Sequence, residues 1–316
     1  MTLTKDAKIY VAGHTGLLGS SVVRNLRAHG HDNLLLSTRQ EVNLTDNVAV
    51  SALFRREKPD LVVLTAAKVG GIQANIADPV GFLVENLKIN NNVICSALEA
   101  GVQHLVYIGS SCMYPKDFDN RLKEEYMLTA PLEPTNEGYA LAKISGAKLC
   151  EYCCRQYGVD YKTLISCNLY GPGDHFDPRS SHLIAAIIEK IHRAMVNDEK
   201  TIPVWGDGSA RREFLYVDDL ADFICDSLDF VDRLPNYLNI GYGKDFTVLE
   251  YHQMAAEVMG YDGEFAFDTT RPVGMTRKLL DSSHAYEFGW NPKTSHRDGI
   301  HKTYECYLSR EKERVS

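Results

Sequence analysis

The chain has 316 residues, 44% of them hydrophobic, and its formal net charge at pH 7 is −8. This negative charge argues against nucleic acid or an anionic membrane as a partner, and no apolar run approaches the roughly 20 residues that cross a membrane. Eight cysteines are too few for a disulfide scaffold in a chain of this length. We therefore expect a cytoplasmic protein with reduced thiols that binds neither nucleic acid nor a membrane.

The first half of the chain alternates short β-rich runs with helical patterns. The β-rich runs are KIYVAG, NLLLST, PDLVVLTAA, HLVYIGSS and YKTLISCNLYG. Between two of them, Asp78 can cap a helix, Pro79 suits its first turn and Gly101 can end it. Such alternation predicts crossover units and a parallel sheet, which is a Rossmann-like doubly wound α/β fold.

The pattern changes after Gly171. The loop GPGDHFDPRSS leads into SHLIAAIIEKIHRAMV, which we predict to be a helix with no strand directly after it. The later runs YLNIGYG and GEFAFD flank a further predicted helix, VLEYHQMAAEVMG. We therefore predict a nucleotide-binding domain over residues 1–172, which also receives part of 213–246, and a smaller mixed α/β substrate-binding domain over 173–316.

One cysteine cluster has the spacing of half a metal site. Cys150, Cys153 and Cys154 lie within a predicted helix, but no second Cys or His pair follows at ligand spacing. The 11 histidines include no HExxH pattern. We interpret the cysteines as packing residues and predict no metal.

The segment AGHTGLLGS places Gly13, Gly16 and Gly19 directly after the first strand. Glycines at a strand-to-helix turn allow a tight bend and close approach of a pyrophosphate to backbone N–H groups. The same spacing also occurs in ordinary turns, and its position in a βαβ pattern is what favours nucleotide binding.

The end of the second strand bears on the choice of cofactor. An acidic residue there usually holds the ribose 2′-OH of NAD, whereas LLLSTRQE offers Ser37, Thr38 and the cation Arg39. This composition favours NADP over NAD. Alternatively, Arg39 lies on a solvated surface turn.

The segment NEGYALAK supplies Tyr139 and Lys143, which lie four residues apart and so share one face of a helix. The ammonium can then lower the pKa of the phenol, and the phenol can exchange a proton with a carbonyl or alkoxide. Ser110, at the end of an earlier strand, can hydrogen-bond the same oxygen. This combination resembles the extended form of the short-chain dehydrogenase/reductase superfamily.

Cys112 follows Ser110 by two residues in IGSSCMYP. If the strand continues past Ser110, the two side chains point to the same side, and the thiol faces the pocket that holds a substrate carbonyl. A cysteine at the end of a strand is otherwise a common core residue.

A set of motifs runs in order along almost the whole chain. They are AGHTGLLGS, LTAAKVGGI, GSSCMYP, EPTNEGYALAK, NLYGPGDHFDPRSSHLIAAI, VWGDGSARREFLYVDDLA and RKLLD. Together they resemble the GDP-L-fucose synthase family, whose members are homodimeric, NADP-dependent enzymes. The resemblance implies conversion of GDP-4-keto-6-deoxy-D-mannose to GDP-L-fucose by epimerisation at C3 and C5 and then reduction at C4.

The resemblance also implies roles for individual residues. It assigns hydride chemistry to Ser110, Tyr139 and Lys143, and the acid/base work of epimerisation to Cys112 and His182, with Cys112 as the base. Its implied cofactor contacts are Gly13, Gly16, Leu17, Leu18, Gly19, Arg39, Ala66, Ala67, Tyr139, Lys143 and His182. Its implied substrate contacts are Asn168, Lys190, Trp205, Arg212 and Lys278.

Two other readings of the sequence stay open at this stage. A related enzyme could reduce or epimerise another GDP-4-keto sugar, such as a deoxyheptose, or form GDP-rhamnose. A silent Rossmann module that senses NADP(H) is a different class of protein, and it would be expected to lack part of the catalytic set.

Overall fold

The computed structural model describes residues 4–116, 121–177, 181–270 and 274–315. Its strands are β1 Ile9–Ala12, β2 Leu34–Leu35, β3 Leu61–Leu64, β4 His104–Ser110, β5 Asp160–Ser166, β6 Asn168–Tyr170, β7 Thr201–Trp205, β8 Arg211–Arg212, β9 Phe214–Tyr216, β10 Tyr237–Ile240, β11 Phe246–Thr247, β12 Glu264–Asp268 and β13 Arg277–Lys278. Its α-helices are α1 Leu17–Ala28, α2 Asn47–Glu57, α3 Ile72–Ala77, α4 Pro79–Glu99, α5 Glu137–Tyr157, α6 Leu183–Val196, α7 Val217–Ser227, α8 Val248–Met259, α9 Ser283–Glu287 and α10 His296–Val315.

Six parallel strands form the central sheet in the order β10-β5-β4-β3-β1-β2. Every residue of β1 and β3 is buried, because helices cover both faces of the sheet. Helix α1 packs against α7, while α4 packs against both α2 and α5. The predicted doubly wound α/β fold is therefore confirmed.

The predicted ends of the helix after residue 78 are confirmed as well. The Asp78 carboxylate accepts a hydrogen bond of 2.9 Å from the Gly81 N–H, and α4 begins at Pro79. Gly101, at φ +78°, follows the end of the helix.

A second core lies among α6, α8, α10 and the short strands outside the main sheet. These strands form a three-stranded sheet, β11-β8-β13, and two pairs, β12-β7 and β6-β9. The expectation that no strand directly follows the 181–196 helix is wrong, because β7 begins at Thr201. This run is easily missed, since it is short, contains Pro203 and, in the part of the chain that the structure describes, pairs with the single strand β12.

The segment after α7 returns to the main sheet, where β10 pairs in parallel with β5. The division into residues 1–172 and 173–316, with part of 213–246 added to the first domain, stays a prediction. In the described ranges, no helix is both long and apolar enough to cross a membrane.

Candidate active site

The loop after β1 fits a dinucleotide pyrophosphate. Gly13 has φ +94°, and a Cβ there would lie 2.6 Å from the backbone nitrogen of Ala66, so the loops after β1 and β3 touch. A Cβ on Gly19 would overlap the carbonyl oxygen of Gly13. Helix α1 begins at Leu17, and Gly16 is its N-cap residue. Because no side chain caps the first N–H groups of the helix, they can bind an anion. These loops meet between β1 and β3, where the strand order reverses, and this is where such folds bind nucleotides.

The side chains after β2, which the sequence offered for a cofactor 2′-phosphate, bond to other protein groups. The hydroxyl of Ser37 is hydrogen-bonded to the Tyr10 hydroxyl at 2.9 Å. The N–H and hydroxyl of Thr38 both donate to the carboxylate of Glu41, at 2.7 and 2.9 Å. Arg39 is 79% exposed and pairs with Glu85 at 3.9 Å. Arg39 thus lies at the surface, as the alternative reading described, and its contact with a 2′-phosphate stays a prediction.

The strand expectation for Cys112 is wrong, although the thiol still reaches the site. Strand β4 ends at Ser110, whose hydroxyl accepts the Cys112 N–H at 3.4 Å, and Ser111–Met113 forms a 3₁₀ turn. The Cys112 N–H is thus used in a local hydrogen bond and not in pairing with a neighbouring strand. Within the turn, the Cys112 thiol is buried and acts electrostatically on Tyr139 and Lys143.

The predicted Ser110, Tyr139 and Lys143 meet at the carboxyl end of β4. Burial and the nearby Cys112 raise the pKa of Tyr139, while a hydrogen bond from Ser110 lowers it. The expectation of a lowered pKa for Tyr139 is wrong, because burial outweighs the groups that favour the ionised phenol. The Lys143 ammonium lies 5.8 Å from the Tyr139 ring centre and donates to the Ile108 carbonyl at 2.8 Å. At neutral pH the phenol is therefore a proton donor.

Lys278 interacts with the same part of the site, although more than 130 residues separate it in sequence from Ser110, Tyr139 and Lys143. Its ammonium interacts electrostatically with Cys112, Arg212 and Glu133. Strand pairing places Lys278 beside Arg212. Burial lowers the pKa of Lys278, and the nearby Cys112 raises it. The predicted contact of Lys278 with a diphosphate stays a prediction.

His182 lies at the N-cap of α6 with extended backbone angles, and its side chain makes no capping hydrogen bond. Burial lowers the pKa of its imidazole, so the neutral ring dominates at neutral pH. A Cβ on Gly71 would lie 3.2 Å from the Ser181 carbonyl oxygen, so the turn before α3 approaches the start of α6. Among the described residues, no hydrogen bond joins His182 to Cys112. The acid/base pairing of these two residues therefore stays a prediction.

Two of the predicted substrate residues adjoin on α6 and β7. The Lys190 ammonium lies 5.5 Å from the centre of the Trp205 ring and donates to the Pro203 carbonyl at 3.4 Å. Trp205 is 36% exposed, which leaves indole surface available for a planar ligand. Asn168, in contrast, donates to the Glu213 carbonyl at 3.0 Å, a contact that joins the start of β6 to the residue before β9.

The cysteines of α5 do not form a metal site with neighbouring ligands in the described ranges. There, ligand atoms of three side chains come within 4.8 Å at one place, formed by His29, Asp222 and Asp226 near the surface. The Cys154 thiol instead bonds the Tyr161 backbone at 3.2 and 3.3 Å.

Sequence reasoning missed three polar residues that shape the site. Glu133 accepts hydrogen bonds from the N–H and hydroxyl of Thr135 and interacts electrostatically with Lys278 and Arg212. Asn86 bonds both the N–H and the carbonyl of Lys68, at 2.8 and 3.0 Å, and so fixes the loop after β3. Asn90 donates to the Ala142 carbonyl at 2.9 Å and ties α4 to α5. The spacing of Asn86 and Asn90, four apart on an otherwise apolar helix face, is a signal that could have identified them.

Residues 9–241 match the NAD dependent epimerase/dehydratase family. GDP-L-fucose synthase 1 of Arabidopsis thaliana is 48% identical over 304 residues, covering 96% of this chain and 94% of the relative. A GDP-6-OMe-4-keto-L-xylo-heptose reductase structure from Campylobacter jejuni superposes with a TM-score of 0.92, at 35% identity over 98% of this chain and 100% of the other. A GDP-mannoheptose C4 reductase from the same organism, with NADP bound, gives 0.88 at 37% identity over 97% and 99% of the two chains.

Proposed function

The chain belongs to the NAD dependent epimerase/dehydratase family, and we propose that it converts GDP-4-keto-6-deoxy-D-mannose to GDP-L-fucose with NADPH. The observation that carries this proposal is the position of Cys112 beside Tyr139 and Lys143. Reduction of a ketone needs only the Ser110, Tyr139 and Lys143 set. A thiol that faces the same phenol adds a candidate base for the carbons next to that ketone.

Epimerisation follows from the acidity that a 4-keto group gives to its neighbours. Loss of a proton from C3 or C5 places negative charge on the ketone oxygen, where the Ser110 and Tyr139 hydroxyls can stabilise it. Cys112 acts as the base at these carbons. His182, at the start of α6, is the candidate acid on the opposite face, and it must take up a proton before it can donate one because burial favours its neutral ring. One ketone thus serves both inversions.

Reduction at C4 uses the same oxygen. Bound NADPH supplies the hydride. Tyr139 is kept protonated by burial, so it can give its proton to the oxygen as the alcohol forms. The Lys143 ammonium stabilises the charge that remains on the phenol oxygen.

One end of the site suits the cofactor, and the other suits the GDP part of the substrate. The loop from Gly13 to Gly19, with Ala66 and Ala67 after β3, would hold the cofactor, and Arg39 would approach its 2′-phosphate. Trp205 and Lys190 offer an indole and a cation to the guanine end of the substrate. Arg212 offers a half-buried guanidinium to the diphosphate. The relative with NADP bound supports the choice of cofactor.

A second candidate is reduction of another GDP-4-keto sugar, and the heptose reductases among the similar structures favour it. Such an enzyme would leave C3 and C5 unchanged. The Cys112 thiol beside the phenol favours the epimerising enzyme over this alternative.

The test is product analysis in heavy water. The protein is incubated with GDP-4-keto-6-deoxy-D-mannose and NADPH, and the product is examined by NMR. We expect GDP-L-fucose with deuterium at C3 and C5. GDP-rhamnose without deuterium, or no NADPH oxidation, would contradict the proposal, and parallel reactions with a GDP-4-keto heptose distinguish the alternative.

We also propose that the protein acts as a homodimer in the cytoplasm, as the family resemblance implies. Sedimentation of the purified protein with and without NADPH measures its mass. A single species at 35.4 kDa, the mass of one chain, would contradict the dimer.

A further inference from the structure

A cavity of about 200 Å³ lies beside Tyr139. Phe82 and Pro134 belong to its apolar wall, and the Phe82 ring meets the Tyr139 ring edge-on, with 6.4 Å between the ring centres. Asn75 and Asn136 belong to its polar wall. A mixed wall of this kind suits a sugar ring, because the C–H groups of the ring pack on apolar side chains while its hydroxyls need polar partners.

The amide of Asn75 is held in one orientation. Its NH₂ group donates to the carbonyl oxygens of Gly70 and Gly71, at 2.9 and 3.1 Å. Because these oxygens can only accept, the amide nitrogen faces them and Oδ1 faces away from them. The side chain is 6% exposed, and within the described ranges no donor bonds to this buried oxygen. Asn75 therefore presents a fixed acceptor that the protein does not use.

Asn136 carries a second buried acceptor. It is the N-cap residue of α5, a position where an asparagine oxygen usually accepts an N–H of the first helical turn. Here the side chain makes no capping hydrogen bond, and its Oδ1 is buried without a partner among the described residues. Buried acceptors are nearly always hydrogen-bonded, because an unpaired one costs free energy. Two such oxygens on residues of one cavity indicate a ligand with two donor groups.

Helix α3, which carries Asn75, begins close to Arg212. A Cβ on Gly274 would lie 3.3 Å from the Cδ1 of Ile72 and 3.5 Å from the Nη2 of Arg212, so the first residue of α3 and the guanidinium adjoin the same glycine. Tyr139 itself lines the cavity. The cavity is thus bordered by the phenol proposed for the 4-oxygen and by a helix that begins near the guanidinium proposed for the diphosphate.

A GDP-4-keto-6-deoxy sugar has two donors to match. Its C1 carries the diphosphate, its C4 is the ketone and its C6 has no oxygen, so hydroxyls remain at C2 and C3. We propose that the C3 hydroxyl donates to the Oδ1 of Asn136 and the C2 hydroxyl to the Oδ1 of Asn75, which makes the two asparagines specificity-determining residues. This role rests on the function proposed above.

The order of the residues along the site supports this assignment. Asn136 lies three residues before Tyr139, which takes the oxygen at C4, and C3 is the hydroxyl-bearing carbon next to C4. Asn75 lies on the helix that begins near Arg212, and C2 is next to the carbon that carries the diphosphate.

The experiment compares GDP-4-keto-6-deoxy-D-mannose with its 2-deoxy and 3-deoxy forms, using NADPH oxidation to measure kcat/KM for each sugar. In the wild type, removal of either hydroxyl should lower kcat/KM by at least about tenfold, because a buried oxygen then loses its donor. Asn136→Ala should cost at least about tenfold with the full sugar and the 2-deoxy form, and at most about twofold with the 3-deoxy form. Asn75→Ala should show the converse, with the 2-deoxy form spared.

This crossed pattern separates binding of a hydroxyl from a structural role. Loss of the bonds to Gly70 and Gly71 in Asn75→Ala would lower kcat/KM by one common factor for all three sugars and leave the pattern visible. Asn33→Ala is the matched control, because Asn33 is exposed, donates to the Asp6 carbonyl at 2.8 Å and is not part of the cavity wall. It should match the wild type with each sugar, and thermal unfolding checks that the variants fold.

Equal losses with all three sugars in the Asn136 and Asn75 variants, or no losses, would overturn the proposal. If a variant fails to fold, the wild type decides alone, since a deoxy form used within about twofold of the full sugar would overturn it. No NADPH oxidation by the wild type with the full sugar would refute the proposed function and this inference with it. The crossed pattern in an enzyme that forms GDP-rhamnose would leave the inference standing and refute epimerisation.

Discussion

The Lys143 ammonium donates a 2.8 Å hydrogen bond to the Ile108 carbonyl and lies 5.8 Å from the centre of the Tyr139 ring. The carboxyl-terminal part of β4 and the second turn of α5 are thereby joined through one buried charge. Burial lowers the pKa of Lys143 to about 8, and the nearby Cys112 raises it. The ammonium is thus the main form at neutral pH and loses its proton as the pH passes about 8.

The titration of Lys143 predicts how the rate of reduction changes on the alkaline side of its pH profile. The rate of NADPH oxidation should fall as the pH rises through about 8, because the neutral amine no longer stabilises charge on the phenol oxygen. Lys143→Met should lower the rate by about 10²-fold or more and flatten this limb. Stopped-flow measurement of a single turnover across the pH range checks both statements, and a wild-type rate that stays constant through pH 8 would contradict them.

Tyr139→Phe should separate reduction from epimerisation. Removing the hydroxyl takes away the proton donor for the 4-oxygen, so NADPH oxidation should fall by about 10²–10⁴-fold. Deuterium uptake at C3 and C5 should partly survive, since Ser110 still binds the ketone oxygen. NMR of the recovered keto sugar measures the exchange, and equal loss of both activities would show that the phenol is needed for enolate formation too.

Cys112→Ser tests the complementary step, which is epimerisation. A serine hydroxyl is close to the thiol in size but far less acidic, so exchange at C3 and C5 should be lost while the pocket stays intact. Binding of NADPH, followed by its fluorescence, should match the wild type. Full exchange in this variant would refute the role of Cys112.

Much of the sheet and of the catalytic set could be predicted because the relevant signals are local. Buried runs such as LVVL identify strands, Asp78 caps its helix, and Tyr139 with Lys143 share a helix face. The path after β4 could not be predicted in this way, because the bond from Cys112 N–H to the Ser110 hydroxyl ends the strand and leaves no trace in the periodicity.

Other features depend on contacts between distant segments. Glu133, Arg212 and Lys278 meet near Cys112 only when β8, β13 and the chain before α5 come together. The raised pKa of Tyr139 comes from burial, which is a property of the folded site. Spacing in the sequence carries no information on either point.

Gly19→Ala should damage the cofactor site through packing. The added Cβ would overlap the Gly13 carbonyl oxygen and lie 2.8 Å from the Thr65 hydroxyl oxygen, so α1 must move away from β1. We expect a destabilisation of about 1–3 kcal/mol and an NADPH affinity at least tenfold weaker. Thermal unfolding and fluorescence titration measure the two effects.

Gly16→Ala is the matched control for stability. Its added Cβ would lie 3.4 Å from the same Gly13 oxygen, which is an ordinary contact. The melting temperature of this variant should stay well above that of Gly19→Ala. Equal melting temperatures would show that the space between α1 and the loop does not decide stability here.

Glu213 should make the folded protein less stable as the pH rises. Burial raises the pKa of its carboxyl to about 7, although the N–H groups of Leu280 and Gly243 donate to it at 2.9 and 2.7 Å and lower it. Its ordinary value is 4.5, so the folded state holds a proton that the unfolded chain releases between these two values. The contribution to stability is present below about 4.5 and is lost as the pH rises through about 7, on the order of 3 kcal/mol.

Denaturant unfolding at several pH values tests this expectation in the wild type and in Glu213→Gln, which keeps the shape but cannot ionise. In the variant, the free energy of unfolding should fall less as the pH rises. Asp174, whose pKa burial also raises to about 7, should account for part of the fall that remains. Glu257→Gln is the control, because the Glu257 carboxylate pairs with Arg297 at the surface at 2.7 Å and its pKa is lowered by that hydrogen bond. Replacing it should leave the decline in place, and a decline of unchanged size in Glu213→Gln would show that this carboxyl is ionised in the folded protein at neutral pH.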